Sequence, residues 1–291
     1  MYRLSIALLV CLALPTLSQD KSATARFLQE LQTAQGGFRN DAGDAHGRAT
    51  IMATAASLRA LALIGAAPLD KSACVRFVVS CRDAASGGIC ERPGGKATVL
   101  STAMGLMAMG ELGRIGAVSP EKSGATVDAA VVFVEKNSRT TEEIRMALAG
   151  MEAVGIGAAK AKAWYDELLP RQLPERSSDS LRDIASALVI AQRTKRDVPL
   201  DDELKAILAD GQSSDGGYRR PERQASDLET TYVVGRALHM VKSEPKSQSR
   251  CRDFVRRCRN VDGGYGMTPG QPSQAIATYF ALSILNWLEH S

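Results

Sequence analysis

A glycine pair that returns along the chain constrains the fold more than any other feature. It appears as Gln35-Gly36-Gly37-Phe38, Ser86-Gly87-Gly88-Ile89, Asp215-Gly216-Gly217-Tyr218 and Asp262-Gly263-Gly264-Tyr265. An apolar, usually aromatic, residue follows each pair. Next come a polar loop and an Ala-rich run with a threonine near its start: Thr54, Thr102, Thr231 and Thr278. The distance from first glycine to threonine is 15 residues in the last three copies and 18 in the first. Self-similarity at such a period is the mark of a repeat architecture.

The first glycines stand at 36, 87, 216 and 263, and the gap of 129 between the middle two divides into three steps of 43. Two further units without the glycine pair are therefore expected in the middle, making six. Helical runs occupy that stretch, over 127–137 and 141–154, then 159–169 and 178–192.

Each unit reads as two helices. The first runs close to the glycine pair (27–35, 77–85 and 254–260), and glycine there permits the left-handed conformation that caps a helix. The second, as in 52–64 and 97–112, is apolar around almost its whole circumference and belongs in an interior. The second helices are thus expected as an inner ring and the more amphipathic first helices as an outer one. Each unit leaves an apolar edge that only the next covers, and six units close on themselves.

Composition agrees with an all-α chain. Apolar residues make up 45% and aromatics only 5%, so the apolar content is mostly aliphatic and rich in strong helix formers. Net charge is +4 with both signs interspersed, so no basic run marks a nucleic-acid surface.

The start reads as an export signal. Arg3 supplies a positive charge, and Leu4 to Leu14 form an uncharged apolar stretch shorter than the roughly 20 residues that span a bilayer. Pro15 breaks it, and Thr16-Leu17-Ser18 predicts cleavage at Ser18–Gln19. Residues 1–18 are therefore expected to be a signal peptide and 19–291 the exported domain, with no further stretch of transmembrane length. Five cysteines remain: Cys74, Cys81, Cys90, Cys251 and Cys258. Cys74 and Cys81, and likewise Cys251 and Cys258, are seven apart, too far along a helix to bridge. Small apolar core residues are the expectation, with a bridge at Cys90 left open.

The run Phe-Val-x-x-Cys-x-x-x-Asp-Gly-Gly-Tyr-Gly at 254–266, followed by Ala-Thr-Tyr-x-Ala-Leu at 277–282, resembles the repeat of protein prenyltransferase β subunits and of squalene or terpene cyclases. The resemblance implies an (α/α)6 toroid of six helix pairs. It also implies a zinc ion held by an Asp, a Cys and a His, with an open position for a substrate thiolate. Here Glu229 stands where the family's His would be, and Asp183 lies where Asp-x-Cys is expected, without the Cys. His46, His239 and His290 fall elsewhere. The zinc set is not intact, and Asp183 with Glu229 remain as carboxylates for a metal of another kind. Asp201-Asp202-Glu203 is the nearest match to a cyclase acid motif, but it opens an outer helix, where acidic residues complement the dipole. Neither a thioester stretch nor a nucleophile elbow is present.

Inner-helix starts converge on one mouth of such a ring. Asp44, His46, Lys96, Glu142, Glu143, Arg182, Asp183, Asp227, Glu229 and Gln274 are expected there, with helix capping as the competing role. Tyr232, Tyr279 and Phe280 are expected to line an apolar-walled pocket below it. The ligand pocket read from the sequence is Asp183, Asp227, Glu229, Tyr232 and Tyr279. The favoured function is a non-catalytic exported ring that binds an apolar small molecule or a protein. The alternative is a transferase or cyclase acting on an isoprenoid.

Overall fold

The computed structural model describes residues 17–43, 47–117, 120–157, 181–195 and 202–290. They form α1 (Leu17–Glu30), α2 (Ile51–Leu63), α3 (Lys71–Ser80), α4 (Val99–Arg114), α5 (Pro120–Asn137) and α6 (Thr141–Ala153). After these come α7 (Leu181–Thr194), α8 (Asp202–Asp210), α9 (Leu228–Met240), α10 (Gln248–Arg257) and α11 (Ala275–Glu289). No strand longer than an isolated bridge occurs among them. The apolar leader lies outside the described residues, and the expected cleavage point falls in the first turn of α1. The expected helix over 159–169 also lies outside them.

Six helices form a closed inner cycle. α2 packs on α4, α4 on α6, α6 on α7, α7 on α9, α9 on α11, and α11 returns to α2. Their sequences explain this placement. Nine of the thirteen residues of α2 are buried, and α4 is buried on most of its surface. A helix apolar on all sides has no face to give to water. α10 is the opposite case, with Cys251, Phe254 and Val255 inward and arginines outward.

The glycine pair is a joint between units rather than a helix cap. The outer helices end at Glu30, Ser80 and Arg257, five or more residues before their pairs at 36, 87 and 263. The first glycine of each pair lies against the backbone of the next outer helix, and the second lies under its phenylalanine. Gly37 meets Phe77, Gly88 meets Phe133, Gly217 meets Phe254, and Gly264 meets Phe27. The last contact joins the sixth unit to the first. Gly263 has φ +88°, and a Cβ there would run into the backbone of Ala23 and Thr24 on α1, so both conformation and space demand glycine. The Thr24 hydroxyl donates to the Gly263 carbonyl (2.7 Å), and the Ala275 amide donates to the Asn40 carbonyl (2.7 Å), sealing the ring.

The recurring threonine ties each loop to its inner helix. Its hydroxyl accepts from the amide of the residue after the glycine pair: Phe38 (2.9 Å), Ile89 (3.0 Å), Tyr218 (2.9 Å) and Tyr265 (3.0 Å). Thr54, Thr231 and Thr278 also donate, each at 2.7 Å, to the carbonyl of the helix N-cap. This paired role accounts for the fixed spacing of glycine and threonine.

All five described cysteines are free and buried. Burial pushes the thiols of Cys74, Cys81, Cys251 and Cys258 up to about 12. No helix among the described residues is long and apolar enough to cross a membrane.

Candidate functional site

The mouth residues are mostly engaged in holding the helix starts. Asp227 is the N-cap of α9, accepting from the Thr230 amide at 2.7 Å and the Thr230 hydroxyl at 3.1 Å, and it is buried. Glu143 closes a capping box with Thr140 on α6. Gln274 occupies the N-cap position of α11 without a side-chain cap bond. Lys96 is exposed, and Asp44 and His46 lie outside the described residues.

Glu229 is taken up by arginines. One of its oxygens pairs with Arg182 at 2.8 Å and the other with Arg220 at 2.7 Å. Burial would raise its carboxyl, but the Arg182 and Arg220 guanidiniums outweigh burial and hold it below the usual range. Asp183, in the first turn of α7, is exposed. A carboxylate clamped between two guanidiniums has both oxygens in use, so the expected Asp183–Glu229 metal pair does not fit these residues. No group of three or more His, Cys, Asp or Glu suited to a metal occurs among the described residues.

Tyr232 and Tyr279, in contrast, are brought together. They sit five residues into α9 and α11, and their hydroxyls are 3.0 Å apart. Phe280 stacks on Tyr232 with centroids 4.6 Å apart, and Trp287 follows at 5.3 Å.

Cations flank this pair as well as aromatic rings. Arg59 of α2 lies over the Tyr279 ring, 4.5 Å from its centroid, and donates toward the Met107 sulfur at 3.4 Å. Arg236 of α9 donates to the Tyr232 hydroxyl at 3.4 Å. Arg145 of α6 acts electrostatically on both tyrosines from across the ring and is itself buried. Arg193 of α7 completes the set, paired with Glu152 at 2.8 Å. Glu111 of α4 is buried between Arg114 and the more distant Arg59, 3.9 Å away. Each inner helix thus carries a charged or hydroxyl-bearing side chain of this group.

The electrostatics reflect that crowding. Burial favours a neutral Tyr232, yet Arg236 and Arg59 outweigh it and pull the phenol below its ordinary value. Tyr279 moves up, through burial and then the neighbouring Tyr232. Burial and the facing Arg236 lower Arg193 to about 10. Burial also raises the Glu111 carboxyl against the pull of Arg114 and Arg59. Arg145 keeps its charge, because the Glu142 carboxylate outweighs the cost of burial.

Sequence reading missed these arginines. Arg59, Arg145 and Arg236 each stand within helical runs of mostly apolar residues, where an arginine was the available signal, whereas Arg193 sits at the polar end of its helix beside Lys195 and Arg196.

The model for the prenyltransferase alpha-alpha toroid domain matches residues 2–71, 56–125 and 179–291. Among solved structures, a wild-type glycosidase superposes with TM-score 0.63 at 13% identity, covering 93% of this chain and 96% of its own. A variant of that description in complex with glucose superposes equally, with TM-score 0.63, 13% identity and the same coverage. At this identity the likeness concerns the fold. No curated protein sequence matches the chain.

Proposed function

The chain belongs to the prenyltransferase alpha-alpha toroid family, and from that premise we propose that it is an exported, non-catalytic ring that holds a polar ligand in its interior. The observation that carries this reading is the inward convergence of Arg59, Arg145, Arg193 and Arg236 around the Tyr232–Tyr279 pair. A pocket for an isoprenoid needs walls that are predominantly apolar. Here an apolar chain would lie beside guanidiniums and displace whatever solvates them, which is unfavourable. The ligand favoured by this reading is polar, where the sequence led to the expectation of an apolar small molecule or a protein.

The transferase or cyclase alternative draws on the family and on the aromatic face of Tyr232, Phe280 and Trp287. Against it stand the arginine clamp on Glu229 and the charged interior. The leader at 1–18 supports export, away from the cytoplasmic supply of prenyl diphosphates.

The test is direct. Purified protein beginning at Gln19 is incubated with zinc, farnesyl diphosphate and a cysteine-terminated peptide, and separately with the diphosphate alone. The expected result is unchanged substrate in both. Any zinc-dependent alkylation of the thiol, or any cyclised product, overturns the non-catalytic reading.

A further inference from the structure

We propose that the joint between the first and second units is a binding site for an acidic peptide segment. A carboxylate of that segment takes the position that an aspartate of the chain itself fills in the last two joints. The site lies apart from the tyrosine–arginine interior and does not depend on what that interior holds.

The repeat supplies the first observation. An aspartate precedes the glycine pairs at 216 and 263. Asp215 accepts from the Gly217 amide at 3.0 Å and from the Ser226 hydroxyl at 2.7 Å. Asp262 accepts from the Gly264 amide at 2.9 Å and from the Ser273 hydroxyl at 2.7 Å. Each serine directly precedes the N-cap of its inner helix and lies against the second glycine. One carboxylate thus satisfies the glycine amide and ties the loop to the helix start. In the second joint Ser86 takes the amide instead, accepting from Gly88 at 3.3 Å.

The first joint has neither device. Gln35 stands in the aspartate position, and Ala49 stands in the serine position against Gly37. Gly37 is buried, and its amide has no acceptor among the described residues. Buried amides are nearly always paired, so this one calls for a partner.

The second observation is the groove at this spot. It measures about 690 Å³ and is lined by Gln35 and Ala49 themselves, by Phe77, and by Arg48, Arg76 and Arg92. The arginines come from the loop before α2, from α3 and from the loop before α4. No carboxylate of the described residues lines it. Asp70 is 3.8 Å from Arg76, with both side chains exposed, and Glu91 is engaged by Thr50 and the Met52 amide at the start of α2. In the two joints that own a carboxylate, the residues corresponding to Arg48 are Ala225 and Pro272. Guanidiniums bind carboxylates through charge-assisted hydrogen bonds, and Ala49 and Phe77 offer an apolar floor for a short aliphatic stem. An aspartate side chain has that form. The groove is larger than one carboxylate needs, and its three arginines match more than one acidic side chain, as a peptide supplies.

The experiment uses the protein beginning at Gln19 and a dye-labelled oligo-aspartate peptide, with labelled oligo-asparagine as the neutral control, followed by fluorescence anisotropy. The acidic peptide is expected to bind with Kd on the order of 10–100 μM and to weaken as salt is added, while the neutral one does not saturate. Arg48→Gln combined with Arg92→Gln should weaken binding about tenfold. Gln35→Asp combined with Ala49→Ser rebuilds in the first joint the bridge that Asp215 and Ser226 make in the fifth. It should keep the thermal midpoint and weaken the peptide about tenfold or more. Lys246→Gln, in a surface ion pair with Asp210 at a distant joint, should change nothing.

Equal responses to the two peptides, or none to either, overturn the proposal and assign the Gly37 amide to water. Undiminished binding in the Gln35→Asp, Ala49→Ser protein overturns the placement of the carboxylate. Undiminished binding in the Arg48→Gln, Arg92→Gln protein overturns the site itself, whether or not the other variant folds. Inorganic phosphate that displaces the peptide at or below the peptide's own Kd replaces the peptide reading with a phosphate site.

Discussion

The hydroxyls of Tyr232 and Tyr279 meet at 3.0 Å from two different inner helices, under the guanidiniums of Arg59 and Arg236. A phenol pair among cations is poised to lose a proton more readily than free tyrosine. A spectrophotometric titration of the folded protein should show phenolate forming below the ordinary tyrosine range, and Tyr232→Phe should abolish that early step. The sign for stability follows. The folded Tyr232 binds its proton less tightly than the unfolded one, so its contribution is fully present above the unfolded pKa of roughly 10. It is lost as pH falls through the lower folded value. Wild type should gain stability relative to Tyr232→Phe as pH rises across that window, read by denaturant midpoints.

The repeated threonine makes a sharper structural prediction. Thr231→Val keeps the shape but removes the acceptor for the buried Tyr218 amide and the donor to Asp227. The loss should be about 1–3 kcal/mol, the cost of an unsatisfied buried group. Urea unfolding curves with an unchanged slope check it.

Two glycines with positive φ should respond very differently to alanine. Gly94 has φ +74° and nothing near its absent Cβ, so Gly94→Ala should cost about 1–2 kcal/mol for backbone conformation alone. Gly263 has a similar φ but faces the backbone of α1, so Gly263→Ala should cost clearly more and loosen the closure. Thermal midpoints of the two variants, compared side by side, decide this.

The five buried thiols should be silent in the native state. Burial raises all of them, so the reactive thiolate is scarce at neutral pH. In protein beginning at Gln19, a thiol reagent should label them slowly, and all five at once on denaturation. Fast labelling of even one would contradict their placement.

Much of the fold was legible because its marks are geometric. The glycine–threonine spacing records a hydrogen bond, and a bond of fixed length keeps its spacing while loop composition drifts. The ends of the outer helices were not legible, because a glycine pair serves equally as a cap and as a close-contact joint; only Phe27, Phe77, Phe133 and Phe254 lying over the second glycines distinguish the two. In the third unit the joint residue Phe133 sits on α5, which begins seven residues before the apolar run suggests. Of the pocket, Tyr232 and Tyr279 were legible as aromatic residues on an inner face. Asp227 and Glu229 proved to be a cap and an arginine partner. The cationic interior was obscured because an arginine in an apolar helix reads as an isolated exception. Its meaning appears only when such residues, spread from position 59 to position 236, come together.

The contact of Gly264 with Phe27 has a consequence for how the chain is made. The first helix has its permanent neighbour near the far terminus, so no amino-terminal fragment can bury its own edge. During synthesis the early units must wait, with apolar surface uncovered, until the last unit emerges. Completion is a single late event that joins the two ends, and the slowest step should be this long-range docking. A chain truncated before α10 would therefore lose the whole assembly, not merely one sixth of it.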